Sequence, residues 1–164
     1  MTAEPPVHCL LFTVHAVMSI PSTGRILGVD WGEVRIGLAL SDETQTLATP
    51  LETLVRRRGK RFPMGRLLEL VAAHGPVGVV VGLPLTPEGG EGPSAVESRA
   101  LATSVGRRTD LPVELWDERL STARALRLVR DQEGTTRGRK EEVDALAAAV
   151  LLQGFLNRRR IGGR

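Results

Sequence analysis

The sequence predicts an α/β domain built on a mixed five-stranded sheet flanked by helices, and three observations carry that prediction. Between residues 26 and 55, three strand-length runs follow one another with only short turns between them, which favours antiparallel pairing. From residue 64 onward helical and strand patterns alternate, which adds parallel strands and lays helices on the sheet. The run 77–83 is nearly all Val and Gly, as befits a strand covered on both faces.

The elements follow in order. Residues 26–29 read as a short buried strand, Asp30-Trp31-Gly32 as a turn, and residues 35–40 as the strand that completes a hairpin. Residues 46–55 have alternating character and make a third strand. At 64–73, Leu67, Leu68, Leu70 and Val71 recur at helical spacing until His74-Gly75-Pro76 stops the helix. After the strand at 77–83, the Gly- and Pro-rich stretch 84–93 is a loop, and Ser94 can cap a helix running to about residue 108. Residues 113–116 form another short strand, and Ser121 can cap a helix to about residue 130. Residues 131–139 are a polar loop, and the last helix spans about 141–157.

Length and composition bound the rest. At 164 residues and 41% apolar, the chain can bury one core without metals or disulfides. The single cysteine, Cys9, excludes a disulfide framework and a multi-Cys zinc site, so the expected compartment is the reducing cytoplasm. No apolar run approaches the roughly 18 residues of a membrane span, so no membrane partner is expected. Residues 1–24 read as an N-terminal extension, either disordered or, up to Met18, an over-long gene start, in which His8 and Cys9 lack partner ligands. The domain is expected over 25–157 and a basic tail over 158–164.

Net charge is only +3, yet 20 of the 22 basic residues are Arg, whose planar fork suits phosphate. A GC-rich genome would give the same bias. Three clusters stand out: Arg56, Arg57, Arg58, Lys60 and Arg61; then Arg137, Arg139 and Lys140; then Arg158, Arg159 and Arg160. Each can be a solvated face or tail, and for the C-terminal cluster that is the preferred reading. With three Phe, two Trp and no Tyr, a stacking platform for single strands is not expected.

Ligands of open α/β sheets bind at the carboxyl ends of the strands, and acids stand there. The first strand ends in Asp30 and the last in Trp116-Asp117-Glu118-Arg119. Asp30 can also be a plain turn residue ahead of Gly32, and Asp117-Glu118 a surface pair before a helix. Asp144 precedes Ala148 and Leu151 by four and seven residues, which puts it on or beside the buried stripe of the last helix. A helix macrodipole, worth roughly 0.3–1 kcal/mol, would account for it equally well. Carboxylates from separate elements that converge at the strand ends would bind Mg²⁺ or Mn²⁺ and, through such ions, hydrolyse a phosphodiester. Flanking arginines would hold the anionic backbone.

At these residues the chain resembles a known family. The segment Ile26-Leu27-Gly28-Val29-Asp30-Trp31-Gly32-Glu33-Val34-Arg35-Ile36-Gly37 is similar to the opening motif of the YqgF family, also called RuvX and related to the RuvC Holliday-junction resolvase. The resemblance continues in Val80-Val81-Gly82-Leu83-Pro84-Leu85 with Glu91-Gly92-Pro93, in Asp117 to Thr122, and in Val143 to Ala148, so it covers about residues 25–157. It implies a ribonuclease H-like fold, in agreement with the element order. It also implies a divalent-metal nuclease site, with Mg²⁺ or Mn²⁺ on Asp30, on one acid of the Asp117-Glu118 pair, and on Asp144. Glu118 is favoured because it lies at the very end of the strand, with Asp117 as the alternative. Thr86 departs from the Asn that members often carry at that loop position. Arg35, Arg119, Arg137, Arg139 and Lys140 are the expected nucleic-acid contacts, the last three in a basic loop leading to the helix of Asp144.

The resemblance implies a nucleic-acid partner of one of two kinds. Processing of the 5′ end of pre-16S ribosomal RNA ranks ahead of cleavage of four-way DNA junctions, which would call for a homodimer. Asp30-x-Gly32 also resembles a phosphate loop of actin-like sugar kinases, but those need two such domains. A nucleic-acid-binding module without catalysis is the remaining alternative.

Overall fold

A computed structural model describes residues 19–56, 59–120 and 137–162, with the backbone alone at 120 and 137–140. Its elements are β1 (Ile26–Asp30), β2 (Arg35–Ser41), β3 (Ala48–Val55), α1 (Met64–His74), β4 (Gly78–Leu83), α2 (Pro93–Thr109), β5 (Val113–Asp117), a 3₁₀ turn (Glu118–Leu120) and α3 (Arg137–Gly162). The sheet order is β3-β2-β1-β4-β5. β1 pairs antiparallel with β2, and β2 with β3, whereas β1–β4 and β4–β5 are parallel. This is the expected mixed sheet, and β1 lies at its centre. β3 runs in the same direction as β1, so β1, β3, β4 and β5 all end at one edge of the sheet.

Local chemistry sets the connections. Asp42 makes the β2–β3 turn, its Oδ1 accepting the N–H groups of Thr46 at 2.7 Å and Leu47 at 3.0 Å. Gln45, at φ 55°, donates its amide to the carbonyls of Pro21 and Gly24 at 2.8 and 2.9 Å. That fastens residues 21–24 to the sheet. α1 ends where Gly75 turns left-handed and gives its N–H to Val71 O.

The two faces of the sheet are packed differently. Leu27, Val29, Leu38, Val79 and Val81 meet Leu67 of α1 and Leu101 and Val105 of α2. Ile26, Ala39 and Val80 meet Ala147, Ala148, Leu151, Leu152 and Phe155 of α3. Burying each such Leu contributes roughly 1.5–3 kcal/mol. On the α3 side, glycines stand where the helix comes closest to the sheet. A Cβ on Gly28 would lie 2.9 Å from Leu152 Cβ, and one on Gly37 would lie 1.9 Å from the carbonyl oxygen of Asp144. Glycines below and alanines above let the helix backbone touch the sheet.

Several boundaries differ from expectation. α3 begins at Arg137, so Arg137 to Lys140 are its first turn rather than a loop, and it runs on to Gly162 where a tail from 158 was expected. Arg159 explains the extension: its guanidinium hydrogen-bonds the carbonyls of Ile20 and Pro21. Ile20 is itself buried against Gly78, so packing starts five residues before Arg25. Ser94 is not the cap of α2. Pro93 takes the first helical position after Gly92, and Ser94 offers its carbonyl to Ser98 Oγ. The expected helix at 121–130, the polar stretch up to 136, and residues 1–18 lie outside the described residues. Among the described residues no helix is long and apolar enough to cross a membrane.

Candidate active site

Asp30 is the last residue of β1, on the α3 side of the sheet, because Gly28 two residues earlier faces Leu152. Its neighbours on that side are both glycines. Gly37 of β2 is its antiparallel partner, and Gly82 of β4 comes one step beyond the Val29–Val81 pair. Each glycine leaves room for another acid. Over Gly37 sits the backbone of Asp144. Over Gly82 sits the carboxylate of Glu118, whose Oε1 would lie 2.5 Å from a Cβ there. The structure therefore gathers Asp30, Glu118 and Asp144 about the carboxyl end of β1, each from a different element. All three are buried, at 4%, 3% and 2% exposure. Carboxylates this far out of water need compensating cations or hydrogen bonds.

Asp117 goes elsewhere. It shares the face of Val113 and Leu115, which pack toward α1 and α2, and its two oxygens receive Arg119 at 2.6 to 3.1 Å. That guanidinium holds its carboxyl below the usual range. β5 closes one residue before Glu118, which opens the 3₁₀ turn and swings back to the α3 side. Arg119 is thus tied to its neighbour, and a Cβ on Gly89 would lie 3.2 Å from its Nη1. The Gly-rich loop folds over it as a small hairpin, with Leu85 bridged to Glu91 and Thr86 Oγ1 accepting the N–H of Gly90 at 3.0 Å. Thr86, the departure from the family pattern, therefore still holds a turn.

Two arrangements were not legible from sequence. Arg35, the first residue of β2, places its Nε 3.0 Å from Oδ2 of Asp144. Arg56, at the head of a basic run, is pinned rather than solvated. It donates Nε to Glu33 O at 2.6 Å, stacks 4.5 Å over Trp31, and reaches Glu97 of α2 at 3.5 Å. Trp31 stacks in turn on Phe62. This clamp fixes the turn that follows Asp30. Both contacts join residues far apart in the chain, and no local pattern pairs them. Arg137, Arg139 and Lys140 lie one to two turns upstream of Asp144 on the same helix.

An oxygen-only set of buried carboxylates on three rigid elements suits a hard divalent cation, and the space kept at Gly82 for Glu118 suits a built carboxylate seat. Among the described residues no three His, Cys, Asp or Glu side chains stand as a finished metal-binding group. Asp144 is turned toward Arg35. The donor chemistry, carboxylate oxygens alone, is of the kind a hard cation takes.

Known proteins match along nearly the whole domain. The family model RuvX, described as Holliday junction resolvase, matches residues 24–158. A protein of Ruegeria sp. (strain TM1040) named "Putative pre-16S rRNA nuclease" is 42% identical over 142 residues, covering 87% of this chain and 90% of that protein. A protein of the same name from Paracoccus denitrificans is 41% identical over 146 residues, covering 89% and 92%. Among solved structures, Thermus thermophilus RuvC in complex with Holliday junction substrate superposes with a TM-score of 0.52 at 18% identity, over 85% of this chain and 96% of that one. The superposition gives the fold as ribonuclease H-like, and the match over residues 24–158 makes the chain a member of the RuvX family.

Proposed function

We propose that the chain is a divalent-metal-dependent endonuclease that uses Mg²⁺ or Mn²⁺ on Asp30, Glu118 and Asp144 to process the 5′ end of pre-16S ribosomal RNA in the cytoplasm. As a member of a nuclease family it is a hydrolase acting on ester bonds. The observation that carries the metal site is the gathering of three buried acids about the end of β1, the Glu118 carboxylate seated over Gly82 and the Asp144 backbone over Gly37. When bound, divalent ions supply a nucleophile at neutral pH and stabilise the leaving oxygen of a phosphodiester.

The protein's own part is position. Asp30 is fixed by pairing on both sides of β1, Asp144 by the close approach of α3, and Glu118 by the turn that ends β5. Arg56 holds the turn behind Asp30 rigid, which keeps that ligand in place. The basic run after β3 leaves at the same edge of the sheet as the acids and would draw a polyanion toward them. Arg35, Arg119, Arg137, Arg139 and Lys140 remain the proposed backbone contacts, Arg35 and Arg119 through the parts of their forks not held by Asp144 and Asp117.

The description of the matching family favours a second reading, resolution of four-way DNA junctions by a homodimer that makes paired cuts. One experiment separates the two: a labelled pre-16S 5′-leader RNA and a labelled four-way junction, each with and without Mn²⁺. Discrete, Mn²⁺-dependent cuts in the RNA alone support rRNA processing. Symmetric cuts in the junction alone, by a dimeric protein, support the second reading.

A further inference from the structure

We propose that Arg35 is the site's built-in counter-ion: it occupies Asp144 before metal enters, is displaced by the divalent cation, and is thereby freed to hold substrate phosphate. The inference rests on the metal reading above and adds a regulatory step to it.

Asp144 is 2% exposed and lies in the third turn of α3, beyond the reach of a macrodipole that fades after the first turn. Its charge needs a partner, and Arg35 Nε stands 3.0 Å from Oδ2. The Nε facing Asp144 is buried and makes no hydrogen bond, while the Arg35 side chain as a whole is 25% exposed, so the contact is one of charge and the guanidinium has solvent beside it to move into. Arg35 begins β2, with β3 on one side and the turn after Asp30 directly before it, so withdrawal keeps the head at the rim of the acid cluster.

The oxygen that holds Arg35 is one that a cation bound to Asp144 would want, and a guanidinium beside a divalent ion is repelled. The pair opens by exchange of one cation for another. A free guanidinium at the rim then presents its fork to a phosphate, which a paired one cannot do fully. Metal loading and backbone capture are thus coupled through one side chain, and an unloaded site binds substrate less well.

Mn²⁺ affinity, measured by calorimetry on the purified chain, tests this directly. Arg35→Gln removes the competitor, so Mn²⁺ should bind a few-fold more tightly, the net scale of one ion pair between partly exposed groups. Arg35→Lys, which keeps the charge, should return affinity toward wild type. In wild-type protein the Arg35 Nε–H NMR signal should shift on titration with Mg²⁺ and not with NaCl of equal ionic strength. That measurement stands even if Arg35→Gln fails to fold. Equal or weaker Mn²⁺ binding by Arg35→Gln, or an Nε–H signal that stays fixed while Mg²⁺ binds, overturns the proposal and leaves the metal reading intact. Absence of saturable Mn²⁺ binding in wild type overturns the metal reading itself, and this inference with it.

Discussion

At the residue scale, Asp30 and Asp144 were legible because each is an acid set against an apolar run, Ile26 to Val29 in one case and Ala145 to Leu152 in the other. The sequence alone left a macrodipole explanation for Asp144. α3 starts four residues earlier than the periodicity suggested, and that removes it. Asp117 and Glu118 were harder. Alternation along β5 separates their faces, but only the different packing of those faces tells which one meets α3. Glu118→Gln should abolish Mn²⁺-dependent cleavage, while Asp117→Asn, which breaks only the pair with Arg119, should weaken it a few-fold. Single-turnover rates on the labelled RNA check this, and the reverse order would move the ligand back to Asp117. The Arg35–Asp144 and Arg56–Trp31 contacts were not legible, since nothing local to either arginine specifies a partner so distant in sequence.

At the element scale, the close seating of α3 on the sheet is what turns Asp144 into a neighbour of Asp30. The run Ala145, Ala147, Ala148 and Ala149 announced a close approach, but the matching glycines on three different strands have no periodicity of their own. Gly37→Ala would put a methyl group on the Asp144 carbonyl, and overpacking of this kind costs about 1–3 kcal/mol or more. Its urea midpoint should fall clearly. Gly65→Ala in α1 meets nothing within 4 Å and should raise stability by a few tenths to about 1 kcal/mol. Unfolding curves that move both variants the same way would contradict this packing. The first turn of α3 carries Arg137, Arg139 and Lys140, and helical positions 137 and 140 share the side of position 144. Replacing all three with Gln should weaken binding to RNA and DNA alike and flatten the slope of log affinity against log salt by about two units. An unchanged slope would remove this turn from the interface.

At the scale of the whole molecule, the sheet was readable because its physics is local: short turns make antiparallel neighbours, and intervening helices make parallel ones. What could not be read was which strand ends share an edge and what gathers there. The topology sends β1, β3, β4 and β5 to one edge, where Arg56 follows the end of β3 and the three acids gather about the end of β1. The central claim is that Asp30 anchors a metal-dependent phosphodiesterase site, and one measurement tests it most directly: Mn²⁺-dependent cleavage of labelled pre-16S 5′-leader RNA by wild type and Asp30→Asn side by side, with circular dichroism confirming that both are folded. We expect cleavage by wild type that EDTA abolishes, and a loss of at least about 10²-fold in the folded variant, as for removal of a group that stabilises the transition state. Near wild-type cleavage by Asp30→Asn, or wild-type cleavage that persists in EDTA, would contradict it.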